Sequence, residues 1–265
     1  MVFSRKTTKV FLLATTLSTG GAEKVVRALT LGLPRYGFDT NVLCLHGMGQ
    51  VGLELSDLGA SVRYKLSRGR FDPTVLVRLA GIFRRDREAI LFTLDHHDAI
   101  FWGALASLFA GIRYRVLSVH STGMWAKRSS FNFMDRLVMP FYNRVVALAD
   151  LHRQYLERRE GVDSERIALI ANGVDTGRFK PIGSDDDRER VRDSYSIPAG
   201  NFVVTIIAAL RPEKNHEMFL RSAAEISSRI ENFTFLVVGE GKEARKLQDL
   251  AVELSLGDTV RFMGL

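Results

Sequence analysis

Three segments that follow predicted strands carry residue types that hold phosphate groups. Glycine lets backbone N–H groups approach an anion closely, and lysine and arginine neutralise its charge. The candidate residues are Gly20 and Gly21, Arg211 and Lys214, and Gly239 and Gly241. Considered singly, each pair also fits a plain tight turn or a solvated helix start, and the first pair lacks the dinucleotide-binding pattern Gly-x-Gly-x-x-Gly. The segments therefore predict phosphate-binding turns, with local backbone geometry as the alternative.

Histidines cluster in the first half of the chain, again after predicted strands. His96 and His97 stand between Asp95 and Asp98, which suggests a metal site. Adjacent histidines point in different directions, however, and no His-x-x-x-His spacing is present, so the pattern does not favour a metal. His120 ends another predicted strand and is the candidate to hydrogen-bond a bound hydroxyl or phosphate. A helix-capping or buried histidine is the alternative.

The elements that position these residues are short apolar runs alternating with amphipathic segments. Predicted strands cover residues 10–15, 41–45, 61–66, 89–94, 113–120, 144–148, 166–171, 202–210, 233–238 and 259–263. Helical periodicity covers residues 22–36, 73–83, 213–230 and 242–254. Strands separated by such helices form right-handed βαβ units, so we expect an α/β fold with mainly parallel sheets covered on both faces. Gly20, Gly21 and His120 are then expected at one edge of the first sheet.

The pattern divides the chain into two Rossmann-like domains. We predict a first domain over residues 1–180, an acidic, turn-prone linker over 181–200 and a second domain over 201–265. The second domain contains three predicted strands and two predicted helices. An open Rossmann-like domain normally has more strands, so we expect the second domain to be incomplete.

The composition is typical of a globular chain. Its 265 residues are 46% hydrophobic and 25% charged, and no stretch approaches the roughly 20 apolar residues of a membrane-spanning helix. The lone Cys44 excludes an intramolecular disulfide and fits a reducing cytoplasm. Arg5, Lys6 and Lys9 precede an apolar run, as in a secretory signal, but the run is short and no small-residue cleavage site follows. We therefore expect a cytoplasmic protein.

The charge is unevenly distributed along the chain. The formal net charge is +7, with 26 basic and 16 acidic residues in 1–180 and 11 basic and 14 acidic residues in 181–265. A basic first half suits nucleic acid, anionic lipid or phosphorylated small molecules. Zinc-finger spacing, an aromatic-rich strand motif and a dense basic helix are all absent from the sequence, so we do not expect nucleic acid as a partner.

Taken in order, these segments resemble the family 4 retaining glycosyltransferases, which have the two-domain GT-B fold. The resemblance covers nearly the whole chain and rests on residues 20–23, 119–121, 170–181, 210–215, 235–241 and 254–264. The most specific segment resembles the family's junction motif and consists of Asn172, Gly173, Val174 and Asp175, followed by Phe179 and Pro181.

The resemblance implies transfer of a sugar from a nucleotide-sugar donor to a hydroxyl of a glycan or lipid-linked acceptor, with the anomeric configuration kept. It implies a donor bound between the two domains and no metal or other cofactor. The residues implied for the donor phosphate and sugar are Gly20, Gly21, Arg211, Lys214, Gly239 and Gly241, and the implied catalytic residue is His120. The basic first half suits an acceptor that carries phosphate or lies in an anionic membrane, which implies peripheral contact with the inner face of the membrane.

Two features depart from the family pattern. Family members commonly have an arginine where this chain has Ala209, and their motif of two glutamates separated by seven residues has no counterpart. Glu217 and Glu225 have that spacing, but we interpret them as surface charge on the predicted helix after Lys214. We therefore expect weak or no transferase activity from this chain alone.

Two alternative functions remain at this stage. The first is a non-catalytic acceptor-binding or partner-binding protein whose second domain is completed by another polypeptide. The second is a nicotinamide-dependent oxidoreductase, which fits the α/β alternation but lacks the dinucleotide fingerprint.

Overall fold

The computed structural model describes residues 7–18, 20–69, 72–94, 97–120 and 131–264. Contacts between Cα atoms divide the chain into two units, Met1–Gly173 and Val174–Leu265. The boundary falls inside the predicted junction motif, between Gly173 and Val174. Each unit has its own sheet and its own hydrophobic core.

The first unit is built on a seven-stranded sheet in which every neighbouring pair of strands is parallel. Its strands are β1 (Thr8–Ala14), β2 (Phe38–Cys44), β3 (Ser61–Arg63), β4 (Ile90–Leu94), β5 (Tyr114–Ser118), β6 (Arg144–Ala147) and β7 (Ile167–Leu169). Their order across the sheet is β3-β2-β1-β4-β5-β6-β7. The segments that follow β1, β4 and β5 are therefore neighbours at the carboxyl edge.

Helices cover both faces of this sheet. They are α1 (Gly21–Gly32), α2 (Gly49–Asp57), α3 (Thr74–Phe83), α4 (His97–Ala110), α5 (Phe133–Val138) and α6 (Asp150–Arg158). Because successive strand residues point to opposite faces, Leu13 packs in a core that includes Leu79 of α3, whereas Leu12 packs in a core that includes Val26 of α1. Leu12 and Leu13 are both fully buried, as expected for a parallel sheet covered on both sides.

The second unit contains a parallel three-stranded sheet with the order β10-β9-β8. Its strands are β8 (Phe202–Ile207), β9 (Phe233–Val238) and β10 (Val260–Gly264), and its helices are α7 (Asp185–Ser194), α8 (His216–Ser227) and α9 (Ala244–Glu253). The buried core includes Leu220 of α8, Phe235 of β9 and Leu247 of α9. Within the described residues, β8 pairs with β9 alone.

The predicted α/β fold and its parallel sheets are confirmed, and each predicted strand is present with small differences at its ends. The segment predicted as a linker contains helix α7, so the second unit has three helices where the sequence pattern predicts two. The Ser184 hydroxyl accepts a hydrogen bond from the Asp187 backbone N–H and so caps the first turn. No residue of α7 is buried. A helix without a buried face needs no apolar stripe, so its sequence lacks the hydrophobic periodicity from which a helix is predicted.

Replacing Tyr142 by phenylalanine tests the core of the first unit. Tyr142 is fully buried, and its hydroxyl donates a hydrogen bond to the Ile100 carbonyl at 2.8 Å, which is lost in the variant. We expect Tyr142→Phe to lower the free energy of unfolding by about 1–2 kcal/mol in urea titrations. Tyr36, which is 79% exposed, provides the control. Tyr36→Phe should change stability by less than about 0.5 kcal/mol, and equal losses in the two variants would contradict the prediction.

Candidate functional site

The carboxyl edge of the first sheet brings three predicted polar segments side by side. Gly20 and Gly21 follow β1, His97 follows β4, and His120 follows β5, and these three strands are consecutive in the sheet. Ligands of open α/β sheets bind outside the carboxyl ends of the strands. The topology thus places the predicted residues of the first unit where such a fold presents its ligand site.

Gly20 and Gly21 differ in what surrounds them. Gly20 precedes α1 in an extended conformation, and a Cβ atom there would lie 2.3 Å from Oε2 of Glu23. Glu23 is buried, and its carboxylate stands at the positive end of its own helix. A Cβ atom at Gly21 would have no neighbour within 4 Å among the described residues. Glu23 therefore fills space beside Gly20, whereas the backbone of Gly21 is open to a ligand.

His120 is half-buried beyond the end of β5. Its Nε2 atom lies 3.0 Å from the hydroxyl of Ser118, which is itself buried. The last strand residue therefore orients the imidazole. The adjoining residue Ser121, part of the motif, lies outside the described residues.

His97 is the second histidine at this edge whose ring is hydrogen-bonded to another side chain. Its Nδ1 atom is hydrogen-bonded to Oδ2 of Asp135, a side chain with no exposed surface. Asp135 is fixed by a capping box, in which its carboxylate accepts from the Asn132 backbone N–H at 2.9 Å and its own N–H donates to Asn132. His97 is thus held by a buried carboxylate from a helix 38 residues further along the chain.

The possible metal cluster of residues 95–98, which the sequence pattern does not favour, is described only in part. Asp95 and His96 lie outside them, His97 pairs with Asp135, and Asp98 lies 3.5 Å from Nε2 of His46. Among the described residues, no group of three or more His, Cys, Asp or Glu side chains is arranged to hold a metal ion.

In the second unit, Arg211 and Lys214 occupy the loop between β8 and α8. Pro212–Lys214 forms a 3₁₀ turn, and Asn215 adopts a left-handed conformation with φ 53° that starts α8. Both cations are exposed. The nearest carboxylate to Arg211 is that of Glu213 at 3.9 Å, and Lys214 has no ion-pair partner among the described residues. Two positive charges therefore stand at the amino end of a twelve-residue helix.

Gly239 and Gly241 shape this loop by close backbone contact. Gly239 has φ 146°, and a Cβ atom there would lie 2.0 Å from the Ala208 carbonyl oxygen. A Cβ atom at Gly241 would lie 2.3 Å from the Leu210 carbonyl oxygen. The Leu210 N–H also donates to the Glu240 carbonyl at 2.9 Å. Both glycines are required for the segment after β9 to pack against the loop that carries Arg211.

His216 lies directly after this loop and is almost completely buried. Burial lowers the pKa of its imidazole, the backbone of Ala208 opposes this shift, and the positive charge of Lys214 lowers the pKa to a smaller extent. The neutral form of the ring is therefore favoured next to a loop that carries two cations.

The junction motif and the glutamate pair occupy exposed positions. Asn172, Gly173, Val174 and Asp175 are all exposed, and the Asp175 carboxylate accepts hydrogen bonds from the backbone N–H groups of residues 177 and 178. Glu217 and Glu225 lie on α8 and form i,i+4 ion pairs with Arg221 of the same helix and with Arg229 just beyond its end. That arrangement agrees with their interpretation as helical surface charge.

Sequence reasoning missed Glu23, Asp135 and the packing role of the paired glycines in the second unit. The sequence around Asp135 contains one recognisable pattern, because Asn132-x-x-Asp135 has the spacing of a capping box. That spacing predicts the start of a helix but does not predict the hydrogen bond between Asp135 and His97. Among the described residues, no helix is both long and apolar enough to cross a membrane.

Comparison with protein families gives two consecutive matches. Residues 19–178, more than half of the chain, match Glycosyltransferase Family 4. Residues 187–265 match the family of glycosyl transferases group 1. The two matches meet near the boundary between the two structural units.

Curated relatives are also glycosyltransferases by name. The chain is 27% identical over 222 residues to the putative glycosyltransferase EpsF of Bacillus subtilis, covering 80% of this chain and 56% of that protein. It is 26% identical over 230 residues to the UDP-Gal:α-D-GlcNAc-diphosphoundecaprenol α-1,3-galactosyltransferase of Escherichia coli, covering 79% and 56%. The chain thus spans little more than half the length of these relatives.

Solved structures share the fold. HepE of Anabaena, solved in complex with UDP and glucose, has a TM-score of 0.78 and 21% identity, covering 97% of this chain and 69% of that one. WaaG, a glycosyltransferase involved in lipopolysaccharide biosynthesis, has a TM-score of 0.69 and 13% identity, covering 96% and 70%. These similarities establish the GT-B architecture.

The lowered pKa of His216 predicts acid sensitivity of the second unit. An imidazole whose pKa is lower in the folded than in the unfolded state contributes stability above the unfolded value of about 6.5, and this is lost as the pH falls through the folded pKa. We expect the protection factors of the Phe235 and Val237 amides, measured by NMR hydrogen exchange and corrected for the intrinsic rate at each pH, to fall between pH 7.5 and 5.5. His216→Gln, which cannot titrate, should reduce this pH dependence. An unchanged dependence in the variant would contradict the assignment.

Proposed function

The chain belongs to glycosyltransferase family 4, and from this premise we propose that it transfers a sugar from a nucleotide-sugar donor to a hydroxyl of a glycan or lipid-linked acceptor with retention of configuration. The observation that carries the proposal is the pair of exposed cations, Arg211 and Lys214, on the loop between β8 and α8. Cations at a helix amino end are the arrangement that neutralises a diphosphate. The names of several relatives and neighbours, which include UDP or a UDP-sugar, support a donor of this class.

We assign the donor diphosphate to Lys214 and Arg211. As the bond between the sugar and the diphosphate breaks, negative charge grows on the leaving phosphate, and fixed positive charge stabilises that state more than the ground state. Arg211 offers a planar fork for two oxygen atoms, and Lys214 offers a mobile point charge. Gly239 and Gly241 contribute by holding the loop that presents these cations. In this assignment the side chains provide the positive charge, so we propose that donor binding needs no metal.

We assign the sugar or the acceptor to the carboxyl edge of the first sheet. The open backbone at Gly21 permits close approach of a ligand, and Gly20 shapes the same turn. His120, oriented by Ser118, is proposed to hydrogen-bond a sugar or acceptor hydroxyl. The exposed junction motif Asn172 to Asp175 is proposed to serve as the connection between the domains. We propose that the protein acts in the cytoplasm, with acceptors at the membrane surface.

The second candidate function is a partner-binding protein whose donor domain is completed by another polypeptide. The exposed strand β8 favours it: Phe202 is 69% exposed, Ile207 is 77% exposed, and the second edge of the strand is unpaired within the described residues. An apolar edge of this kind is a template for pairing with a strand of another chain.

The donor assignment predicts a specific effect of Lys214. With UDP-glucose as the probe in isothermal titrations of the 265-residue chain, Lys214→Ala should weaken binding about tenfold, because one charge-assisted contact to the diphosphate is lost. The binding should be unchanged when EDTA is added. Arg229→Ala is the control, since this exposed arginine lies beyond the opposite end of α8 and pairs with Glu225. Equal weakening in both variants, or loss of binding in EDTA, would count against the assignment.

If the completing polypeptide is a second copy of this chain, the second candidate predicts self-association through β8. In sedimentation experiments over a concentration series, the mass of the wild-type chain should rise above the monomer value of 29.7 kDa. The double variant Phe202→Lys with Ile207→Lys should remain monomeric, because a buried lysine opposes strand pairing. Val252→Lys, at a position of α9 that is 79% exposed, is the control and should behave like the wild type. A wild-type chain that stays monomeric throughout would eliminate self-pairing at this edge.

A further inference from the structure

A cluster of arginines in the first unit lies beside the end strand of the sheet. It surrounds a cleft of about 380 Å³ between the end strand β3 and helix α3. The cleft is lined by Arg63, Arg78, Arg85, Leu66, Ile82 and Gly81. We call it the arginine cleft.

Strand register explains why Arg63 faces α3. Arg63 is the register partner of Leu43 on β2, and Leu43 is buried in the core that contains Leu79 and Ala80 of α3. Because neighbouring residues of paired strands point to the same face, Arg63 lies on the α3 side of the sheet. β3 is the last strand on that side, so this position adjoins the open edge beside the helix.

Arg78 is held rigidly in the cleft. One guanidinium nitrogen, Nη1, donates to the Leu66 carbonyl at 2.7 Å and to Oδ2 of Asp72 at 3.0 Å. Asp72 also accepts hydrogen bonds from Thr74 and from the backbone N–H of Arg68, and these contacts lower its pKa well below the usual range. The Asp72 carboxylate is therefore fully engaged by these hydrogen bonds and by its ion pair with Arg78.

Arg63 and Arg85 have no acidic partner among the residues that the structure describes. The nearby carboxylate of Asp86 is engaged by Lys9, whose Nζ atom lies 2.8 Å from it. The arginine cleft therefore keeps an excess of positive charge after its ion pair is counted. With Arg78 paired to Asp72, the guanidinium groups of Arg63 and Arg85 supply this excess charge and are available to an anion.

We propose that the arginine cleft binds a phosphoryl group, at a site separate from Arg211 and Lys214. Guanidinium groups bind phosphate through paired N–H donors, and the rigid Arg78 provides a fixed donor set. Leu66 and Ile82 supply an apolar wall, and no atom of the described residues fills the space beside Gly81, so the group attached to the phosphate is accommodated as well. The phosphate belongs either to a soluble phosphorylated compound or to a lipid headgroup.

Site-resolved NMR tests the proposal with two probes, inorganic pyrophosphate and vesicles of phosphatidylcholine with phosphatidylglycerol. Pyrophosphate should shift the backbone amides of residues 63–66 and 78–85 at low ionic strength. In Arg63→Ala with Arg85→Ala, the dissociation constant should rise about tenfold or more. The control Arg113→Ala with Arg159→Ala removes the same charge from exposed positions of the first unit and should bind within about twofold of the wild type.

The two probes separate the two sources of phosphate. Binding of pyrophosphate without binding of vesicles supports a soluble ligand, and binding of vesicles that is lost in Arg63→Ala with Arg85→Ala supports a lipid headgroup. The variant Arg63→Lys with Arg85→Lys retains charge and should fold normally, yet it should bind pyrophosphate more weakly than the wild type because the paired donors are gone. Absence of binding to both probes, or equal loss in the Arg113 and Arg159 control, would overturn the proposal.

Discussion

Burial of the first sheet on both faces is the constraint on which the site depends. Leu12, Leu13 and Leu91 are fully buried although they point to alternate sides, so the body of the sheet is apolar throughout. Polar side chains that could bind a ligand must therefore lie at the ends of the strands. Because all seven strands are parallel, their carboxyl ends share one edge, and His97 and His120 become neighbours of the turn at Gly21 without any sequence proximity.

The glycines separate into those required by the fold and those that leave space for a ligand. At Gly239 and Gly241 a side chain would collide with carbonyl oxygens of the adjoining loop, so the backbone packing by itself explains these residues. At Gly21 no atom of the described residues occupies the position of a side chain. Packing among these residues therefore does not account for Gly21, which agrees with the proposed approach of a ligand to the start of α1.

The sequence was sufficient to predict the strands, because each is a short apolar run bounded by turns, and it was sufficient to predict where their carboxyl ends collect polar residues. It did not reveal α7, whose exposed surface lacks an apolar stripe, although Ser184 and Asp187 have capping spacing. It also did not reveal that His97 meets Asp135 or that Arg63 adjoins Arg78. Such contacts depend on which strands and helices become neighbours, and local patterns carry no information on that choice.

Ion pairing determines which cations of a basic surface are available to bind an anion. The first half of the chain is strongly basic, but the Lys9 ammonium is neutralised by Asp86 and the Arg136 guanidinium by the buried carboxylate of Glu160. Paired charges of this kind present little net field to a ligand. Cations without an ion-pair partner among the described residues, such as Lys214 in the second unit and Arg63 and Arg85 in the first, offer an anion more favourable contacts. A net charge of +7 cannot distinguish among nucleic acid, lipid and small phosphates, whereas the position of unpaired cations beside a helix start and within a cleft favours discrete phosphate groups.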